Sequence, residues 1–465
     1  MYRQDSQEKT RKQESKRRRN IIEGTWEHEL REFRRKTQSV DRVIAEGPGD
    51  LTKNVARSLI YQLATLYDRE PSVSHEDDRS QIAVKLACEA GGLWPLRIRA
   101  QRLEIAQREG MMLCRWRDGA ISFEHIPADR LSASCHHNSD VPTYVEIDRT
   151  LMLPADYKGT PKGNAIAVVE CYDIRDTSNP IYKIKAPNGD DLTSMFAPGY
   201  SGYVWTVDGV PFIPGVLYHA EKTGRMFDPY EGIELFHGTL QVASLYTGWV
   251  HLMDDCSWPQ RYVINARPAG SPVTTETPNG YAHVPLNRSS ILRLENQDDR
   301  PGTTASAGQW TAGGDPVAHQ QAISDYIRNL AIDYGVAPGD IRRESGNAQS
   351  GFAIELSRDG IRAAQRRYMP EAKRGDESLM AVIAKMLRAL GGMPIEVDGY
   401  TVNHKGLPLS IAETKLAQED NERRVAAGTK SIIDVYMEQE GVGREEAIRQ
   451  LRRIQEDNAE FNVTT

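Results

Sequence analysis

One cluster of side chains in this sequence has the chemistry to hold a metal ion. Cys135, His136 and His137 are adjacent, Cys114 lies upstream, and thiolate and imidazole groups are the ligands that zinc prefers. On a strand, however, neighbouring histidines point to opposite faces, so the two cannot easily bind one ion. We therefore expect no metal site.

Two pairs of consecutive carboxylates have the chemistry for acid/base catalysis. They are Asp254–Asp255 and Asp376–Glu377. Consecutive side chains diverge on a helix, and two carboxylates held close together would raise each other's pKa. We expect both pairs to lie on solvated helix faces.

The short motifs that directly imply a reaction are missing. The sequence has no GxxxxGKS/T phosphate loop and no GxGxxG, HExxH, GxSxG or EF-hand pattern. We expect no ATPase or other enzyme activity and no cofactor. Trp116 between Arg115 and Arg117 could stack on a nucleic-acid base, but a strand with Trp116 in the core and the arginines outside is the more frequent arrangement.

The composition is that of an ordinary soluble protein. The 465 residues carry 58 basic and 65 acidic side chains, a formal net charge of −7, and 39% hydrophobic residues. Disordered, collagenous and disulfide-scaffold classes are excluded, and two to four structural units are expected. We interpret the five widely spaced cysteines as reduced, packed thiols: Cys88, Cys114, Cys135, Cys171 and Cys256. No apolar run is long enough for a membrane span, and the N-terminus lacks a secretory signal, so we expect a cytoplasmic protein without membrane contact.

The N-terminal residues 1–19 hold the densest cationic cluster. Arg11, Lys12 and the run from Lys16 to Arg19 lie beside almost no apolar side chains. Such a segment cannot nucleate a core, so we predict a flexible basic arm. It either contacts nucleic acid or an acidic partner, or is a solvated tail.

The periodicity of the rest predicts an α+β fold. Residues 25–117 follow a helical period, and residues 121–217 alternate with the period of antiparallel strands. A single long helix is predicted over 228–258, and its interior Gly238 and Gly248 suggest close helix packing. A turn-rich segment with short strands follows over 259–314.

A second long helix begins at the Asp315-Pro316 cap. Pro370 lies inside a third long helix and should kink it, and residues 411–454 are predicted to be helical. Between the second and third helices, Arg342 and Arg343 begin a polar, glycine-bearing loop. These arginines could contact phosphates or could be solvated. The glycines give the loop mobility, but our preference for the phosphate contact depends on the family resemblance given next.

This succession resembles the portal protein family of tailed bacteriophages over residues 51–454. Its most specific stretches are Ala331-Ile-Asp-Tyr-Gly-Val-Ala-Pro-Gly-Asp-Ile341 and Ser345-Gly-Asn-Ala-Gln-Ser-Gly-Phe-Ala-Ile354, which are similar to that family's stem exit and tunnel loop. Residues 224–263, including Trp258-Pro-Gln-Arg261, resemble its first stem helix leading into the clip.

The resemblance implies a portal-type subunit with seven regions. They are a basic arm (1–19), a helical and β wing (20–227), a first stem helix (228–258), a small α/β clip (259–314), a second stem helix (315–338), a tunnel loop with a kinked tunnel helix returning to the wing (339–407) and a helical crown (408–465). The residues that match the tunnel loop, and would line the DNA channel, are Arg342, Arg343, Ser345, Gly346, Asn347, Gln349, Ser350 and Gly351.

The implied function is a ring of about twelve copies at one capsid vertex. Double-stranded DNA would pass through it without sequence readout during DNA packaging and ejection. The implied partners are a terminase motor, a head-tail connector, the major capsid protein and scaffold, with assembly in the host cytoplasm and a final place in the virion. Two alternatives stay open: another ring-forming head-tail structural protein, and a soluble enzyme without a recognisable motif.

Overall fold

We analysed a computed structural model of the chain. It describes residues 2–40, 43–44, 47, 49–135, 141–158, 160–197, 202–228, 232–257, 260–264, 266–268, 294–296, 306–310, 314–336, 351–405, 411–440 and 443–463. None of the helices in these ranges is both long and apolar enough to cross a membrane. The chain divides into two compact units. Unit 1 contains residues 1–29, 54–240 and 328–465, and unit 2 contains residues 30–53 and 241–327.

The helices are distributed over the whole chain. They are α1 (Tyr2–Glu23), α2 (Glu27–Thr37), α3 (Val55–Leu63), α4 (Asp78–Ala90), α5 (Leu93–Gln107), α6 (Thr193–Phe196), α7 (Ile233–Ser257), α8 (Pro316–Asp333), α9 (Gly351–Ala389), α10 (Ile411–Ala426), α11 (Ile432–Glu440) and α12 (Arg444–Val463). Pro370 does not end α9, which continues through it.

Most strands lie between α5 and α7. They are β1 (Ser72–Ser74), β2 (Glu109–Arg117), β3 (Ala120–Pro127), β4 (Leu131–Cys135), β5 (Pro142–Met152), β6 (Ala165–Asp173), β7 (Ile181–Lys185), β8 (Thr206–Val207), β9 (Val210–Pro211), β10 (Gly215–His219), β11 (Gln260–Ile264), β12 (Ala266–Pro268), β13 (Leu294–Asn296), β14 (Ser306–Trp310) and β15 (Thr401–Asn403). Together with the helices they form an α+β fold, as the periodicity predicts.

Unit 1 has its β core in two antiparallel sheets, with strand orders β10-β2-β3 and β4-β5-β6-β7. Their apolar faces share one cluster of buried side chains that includes Met111, Val145 and Leu217. Two short pairs, β1 with β15 and β8 with β9, are the other strands described in this unit. The β1–β15 pair joins residues more than 320 positions apart, since Ser74 lies opposite Thr401.

The N-terminal basic segment is not a flexible arm in the described residues, and that prediction is wrong. It forms α1, in which Arg11, Ser15, Arg18 and Ile22 follow a helical period and are all buried. Arg11 donates to the carbonyl oxygens of Ala128 (3.0 Å) and Leu131 (2.5 Å).

Arg18 is held in a similar way. It donates to the Ala106 carbonyl oxygen at 3.3 Å and pairs with Glu14 at 3.3 Å. The guanidinium of Arg11 also lies 3.8 Å from the centre of the Phe227 ring. These arginines are buried because their stems pack on apolar surface while fixed acceptors and carboxylates satisfy their charged ends.

The cysteines follow the packed-thiol interpretation in part. Cys88, Cys114 and Cys171 are buried free thiols, and burial raises the pKa of the Cys88 thiol to about 12. Cys256 is half-buried. Cys135 is exposed at the end of β4, so the interpretation is wrong for this residue.

Candidate functional site

The feature that the sequence and the structure define most sharply is a pair of long helices that bracket an insertion. The second helix, α8, starts as the sequence predicts: the Asp315 carboxylate accepts from the backbone N–H of Val317 at 2.9 Å and of Ala318 at 3.3 Å. Pro316 occupies the first helical position, where a missing N–H has no consequence. Gly232, with a φ of +79°, immediately precedes α7.

The contacts within unit 2 align α7 and α8 antiparallel. The Trp249 indole N–H donates to the Pro316 carbonyl oxygen at 3.0 Å, and a ring nitrogen of His319 lies 3.4 Å from the Leu245 carbonyl oxygen. Residue numbers along α7 therefore decrease as those of the contacting residues in α8 increase, so the two helices run antiparallel.

The same pairing occurs in the part of the two helices that belongs to unit 1. There, a Cβ added to Gly238 would lie 2.7 Å from Leu330 Cδ1. Ordinary Cβ contacts are longer than 3.0 Å, so a larger residue at this position would force the Leu330 side chain to shift. The predicted close helix packing at Gly238 is confirmed.

The insertion between the two helices is closed at its base by its own strands. β11 begins at Gln260, shortly after α7, and pairs with β14, which ends at Trp310 shortly before α8. Gln260 lies directly opposite Trp310, and β12 pairs with β13 beyond that ladder. The chain thus enters and leaves the insertion through one antiparallel strand pair. We call α7, α8 and these strands the hairpin with its strand insertion.

Most of the sequence-predicted site residues lie outside the described ranges. These are Arg342, Arg343, Ser345, Gly346, Asn347, Gln349 and Ser350, while Gly351 is the first residue of α9. His136 and His137 of the candidate metal cluster also lie outside them. Among the described residues, no group of three or more histidine, cysteine or acidic side chains could hold a metal ion.

A buried charge cluster in unit 1 corrects the prediction for Asp376. We expected a solvated carboxylate, but Asp376 is fully buried. Its two oxygens accept from the hydroxyls of Tyr67 (2.8 Å) and Tyr218 (2.7 Å), which come from elements far away in the sequence. We call Tyr67, Arg97, Glu104, Tyr218, Asp376 and His404 the buried charge cluster.

Two basic side chains, Arg97 and His404, face Asp376 within this cluster. Arg97 Nε lies 3.4 Å from one carboxylate oxygen and His404 Nε2 lies 3.0 Å from the other. The Arg97 guanidinium also stacks 3.8 Å from the ring centre of Tyr218 and 4.7 Å from that of Tyr67, a cation–π sandwich. Its Nη atoms donate to Glu104 at 2.6 and 3.2 Å.

The charges of the cluster explain the pKa shifts of its carboxylates. Burial alone would raise the pKa of Asp376, but the His404 contact and the Arg97 charge outweigh it and hold that pKa below the ordinary 3.8. Burial dominates at Glu104 and raises its pKa despite Arg97. The cluster joins α5, β10 and α9, and its side chains are buried among the described residues.

A second charged cluster corrects the expectation for Arg115. This side chain is half-buried and grips Glu170 with two hydrogen bonds of 2.6 Å each. Arg149 binds Glu124 at 2.7 and 2.8 Å and also contacts Glu170. Burial would raise the pKa of Glu170, but the two arginines lower it to about 2. Arg115 therefore ties two sheets together, and Trp116 is only half-buried.

These observations define the class of the protein: a mixed α+β chain in which an antiparallel helical hairpin carries a strand insertion. No family model matches the sequence, and no curated protein matches it.

Among solved structures, the chain is similar to a chain in the virion of a native gene transfer agent (GTA) particle. The sequences are 12% identical, the match covers 81% of this chain and 86% of that one, and the TM-score is 0.40. It is also similar to a chain in the neck of an empty GTA particle, computed with C6 symmetry. That match has 13% identity, covers 82% of this chain and 88% of that one, and has a TM-score of 0.43.

Proposed function

We propose that this chain is a portal protein: a non-enzymatic ring subunit that conducts double-stranded DNA through one capsid vertex. The observation that carries the proposal is the hairpin with its strand insertion. An antiparallel helix pair whose insertion is closed by the β11–β14 ladder has the plan of a stem that carries a clip. The family resemblance of residues 331–341, which contain the end of α8, and of residues 345–354, which follow it, supports the same assignment.

The proposal assigns the elements to the portal regions. The stem is α7 with α8, the clip is the insertion with β11 to β14, and the crown is α10 to α12. The wing contains the two larger sheets, the helices around them and most of α9. The buried charge cluster and the Arg115–Glu170 pair fix wing elements to one another, which suits a subunit that must hold its shape in a closed ring.

The net charge suits a channel that DNA must slide through. About twelve copies at −7 each carry a formal charge of about −84. A net negative charge repels phosphates, whereas a dense cluster of cationic side chains would hold DNA through counterion release. Two of the arginines in α1, Arg11 and Arg18, are buried against carbonyl and carboxylate oxygens, so they do not add to such a grip.

Partner contacts follow from the same proposal. The clip would dock a terminase motor during filling and a head-tail connector afterwards, and the wing would face the major capsid protein and scaffold. Energy would come from the motor, because this chain carries no nucleotide-binding motif.

The proposed DNA contact is tested by removing the channel arginines. In phage particles assembled with Arg342→Ala/Arg343→Ala, we expect intact rings and a clear loss of packaged DNA length. The matched control is Arg452→Ala/Arg453→Ala, which removes an adjacent arginine pair from the exposed face of α12. Normal DNA content in the first variant, or equal losses in both, would refute the channel role of these residues.

The proposed docking role is tested by the insertion. Replacing residues 269–293 by a short glycine-serine linker keeps the described strands β11 to β14. We expect such particles to form rings but to lose motor or connector binding in a pull-down assay. Unchanged binding would contradict the clip assignment.

A further inference from the structure

The turn between β7 and α6 presents an asparagine followed by a glycine to solvent. Ala186 N–H donates to the Asp190 carbonyl oxygen and Gly189 N–H donates to the Ala186 carbonyl oxygen, both at 2.9 Å, so residues 186–190 form one closed turn. Asn188 and Gly189 are exposed, and Gly189 has a φ of +88°, which favours glycine over other residues. The turn therefore fixes an exposed asparagine directly before a residue without a side chain.

Asp190 holds both polar atoms of the Asn188 side chain. Asp190 N–H donates to Asn188 Oδ1 at 3.2 Å, and Asn188 Nδ2 donates to the Asp190 carboxylate at 3.0 Å. A donor to Oδ1 polarises the carbonyl of the side-chain amide and stabilises negative charge on that oxygen when a nucleophile attacks the carbon. The arrangement thus favours attack at Asn188 Cγ, and the exposure of this side chain gives water access to it.

The backbone nitrogen of Gly189 is a nucleophile that the chain itself supplies, because its attack on Asn188 Cγ closes a five-membered ring. A side chain at position 189 would crowd that ring, and glycine has none. The bond from Gly189 N–H to the Ala186 carbonyl oxygen restrains the attack while the turn is closed. Exposed turns open locally at a small free-energy cost, so this bond slows the reaction without preventing it.

We propose that Asn188 is a site of spontaneous deamidation. The Gly189 nitrogen loses its proton to solvent and forms a bond to Asn188 Cγ, the Cγ–Nδ2 bond breaks, and Nδ2 takes up a proton and leaves as ammonia. Water then opens the five-membered imide at one of its two carbonyl carbons. Breaking one C–N bond gives aspartate and breaking the other gives isoaspartate, and neither step consumes an oxidant or a reductant.

Deamidation would also disturb a second loop that Asp190 holds. The Asp190 carboxylate pairs with Lys158 and accepts from the Tyr157 hydroxyl at 2.5 Å. Hydrogen bonds from Lys158, Tyr157 and Asn188 hold the pKa of Asp190 at about 2. Each product has a carboxylate in place of the Asn188 amide, so it removes one donor and places a like charge beside Asp190. The isoaspartate form also lengthens the backbone inside the turn. We therefore expect the modified chain to loosen both the turn and its contact with Tyr157.

The direct test follows the intact full-length chain during incubation at mildly alkaline pH, which favours loss of the Gly189 N–H proton. Peptide mapping by mass spectrometry, with fragmentation that separates aspartate from isoaspartate, reports each asparagine. Asn164, which is exposed but precedes Ala165, and Asn279, which precedes Gly280 outside the described ranges, are internal references. We expect Asn188 to convert to both acids while Asn164 remains an amide, because Asn164 lacks the glycine neighbour.

A product mimic tests the structural consequence. Asn188→Asp introduces the aspartate product directly, and Asn164→Asp is its matched control because it adds the same charge at another exposed asparagine. Hydrogen exchange is measured at the Ala186 and Gly189 amides, which donate within the turn. We expect about tenfold faster exchange at both amides in Asn188→Asp, the effect of losing one hydrogen bond, and the wild-type rate in Asn164→Asp.

Two results would overturn the modification site: an Asn188 that stays an amide while Asn279 converts, or an Asn188 that converts no faster than Asn164. Unchanged exchange at Ala186 and Gly189 in Asn188→Asp would overturn the loosening of the turn. Neither measurement depends on ring formation or on DNA, so the portal proposal stands or falls separately.

Discussion

Replacing Asp376 by asparagine should strongly destabilise unit 1. The substitution keeps the size of the side chain but removes the charge that faces Arg97 at 3.4 Å and His404 at 3.0 Å. It also places an amide N–H₂ where two tyrosine hydroxyls and the Arg97 guanidinium need acceptors. Removing one partner of a fully buried ion pair costs about 3 to 5 kcal/mol of unfolding free energy, and we expect Asp376→Asn to fall in that range.

The neighbouring carboxylate provides the control. Glu377 is partly exposed, its Lys373 contact is 3.8 Å long, and its bond from Val402 N–H is 3.4 Å long. Glu377→Gln should therefore change the unfolding free energy by less than about 1 kcal/mol. Urea unfolding at pH 7, with all variants at one protein concentration, measures both values. A loss below about 1 kcal/mol for Asp376→Asn, or equal losses for both variants, would refute the assignment of Asp376 to the cluster.

The pH dependence supplies a second readout for the same variant. The folded pKa of Asp376 lies below its ordinary value of 3.8, so its contribution is present above that value and is lost as the pH falls through the folded pKa. The gap in unfolding free energy between wild type and Asp376→Asn should therefore be constant near neutrality and narrow in strong acid. A gap that widens in acid would contradict the sign of the shift.

Three further predictions concern other buried groups of unit 1 and the helical hairpin. Glu170 has a folded pKa of about 2, so Glu170→Gln should lower the unfolding free energy by about 3 kcal/mol above pH 4.5 and by progressively less as the pH falls toward 2. Thermal unfolding measured over a series of acidic pH values tests this. A loss that does not change with pH would be inconsistent with the arginine pairing. Burial raises the pKa of Glu109 to about 8, so its ionisation opposes folding as the pH rises from 4.5 to 8. The Glu109→Gln variant should therefore be more stable than the wild type at pH 9 but not at pH 4. If the variant and the wild type were equally stable at both pH values, the raised pKa would be contradicted. Gly238→Val places a side chain against Leu330 and should lower the free energy of unfolding in urea by about 1 to 3 kcal/mol. A change near zero would mean that the two helices are not in contact at this position.

The helical hairpin could be predicted from sequence because its signals are local. The apolar period of α7, the Asp315-Pro316 cap and the glycine at 238 each depend on residues within a few turns. Local patterns of this kind determine where a helix begins and which face is apolar.

The buried arginines of α1 could not be predicted from composition. Their acceptors are carbonyl oxygens of Ala106, Ala128 and Leu131, about 90 to 120 positions away. A dense basic run usually repels itself and stays solvated, and this one is buried only because the fold brings acceptors to it. The helical spacing of Arg11, Ser15, Arg18 and Ile22 was the available signal.

Asp376 was missed for the same physical reason. Its nearest acidic neighbour in the sequence is Glu377, on the same helix, whereas its partners Tyr67 and Tyr218 are 309 and 158 positions away. Burial of a carboxylate depends on partners that the fold assembles, so the local pattern favours the solvated interpretation. The proposed channel residues 342–350 lie outside the described ranges, and their role stays a prediction.

The portal proposal is tested most directly by native mass spectrometry of the purified 52.2 kDa chain combined with electron microscopy of the same sample. We expect a closed ring of about twelve copies around an open channel that admits a duplex about 20 Å wide. A stable monomer or compact dimer at every concentration, or a ring whose channel is too narrow for duplex DNA, would contradict the proposal.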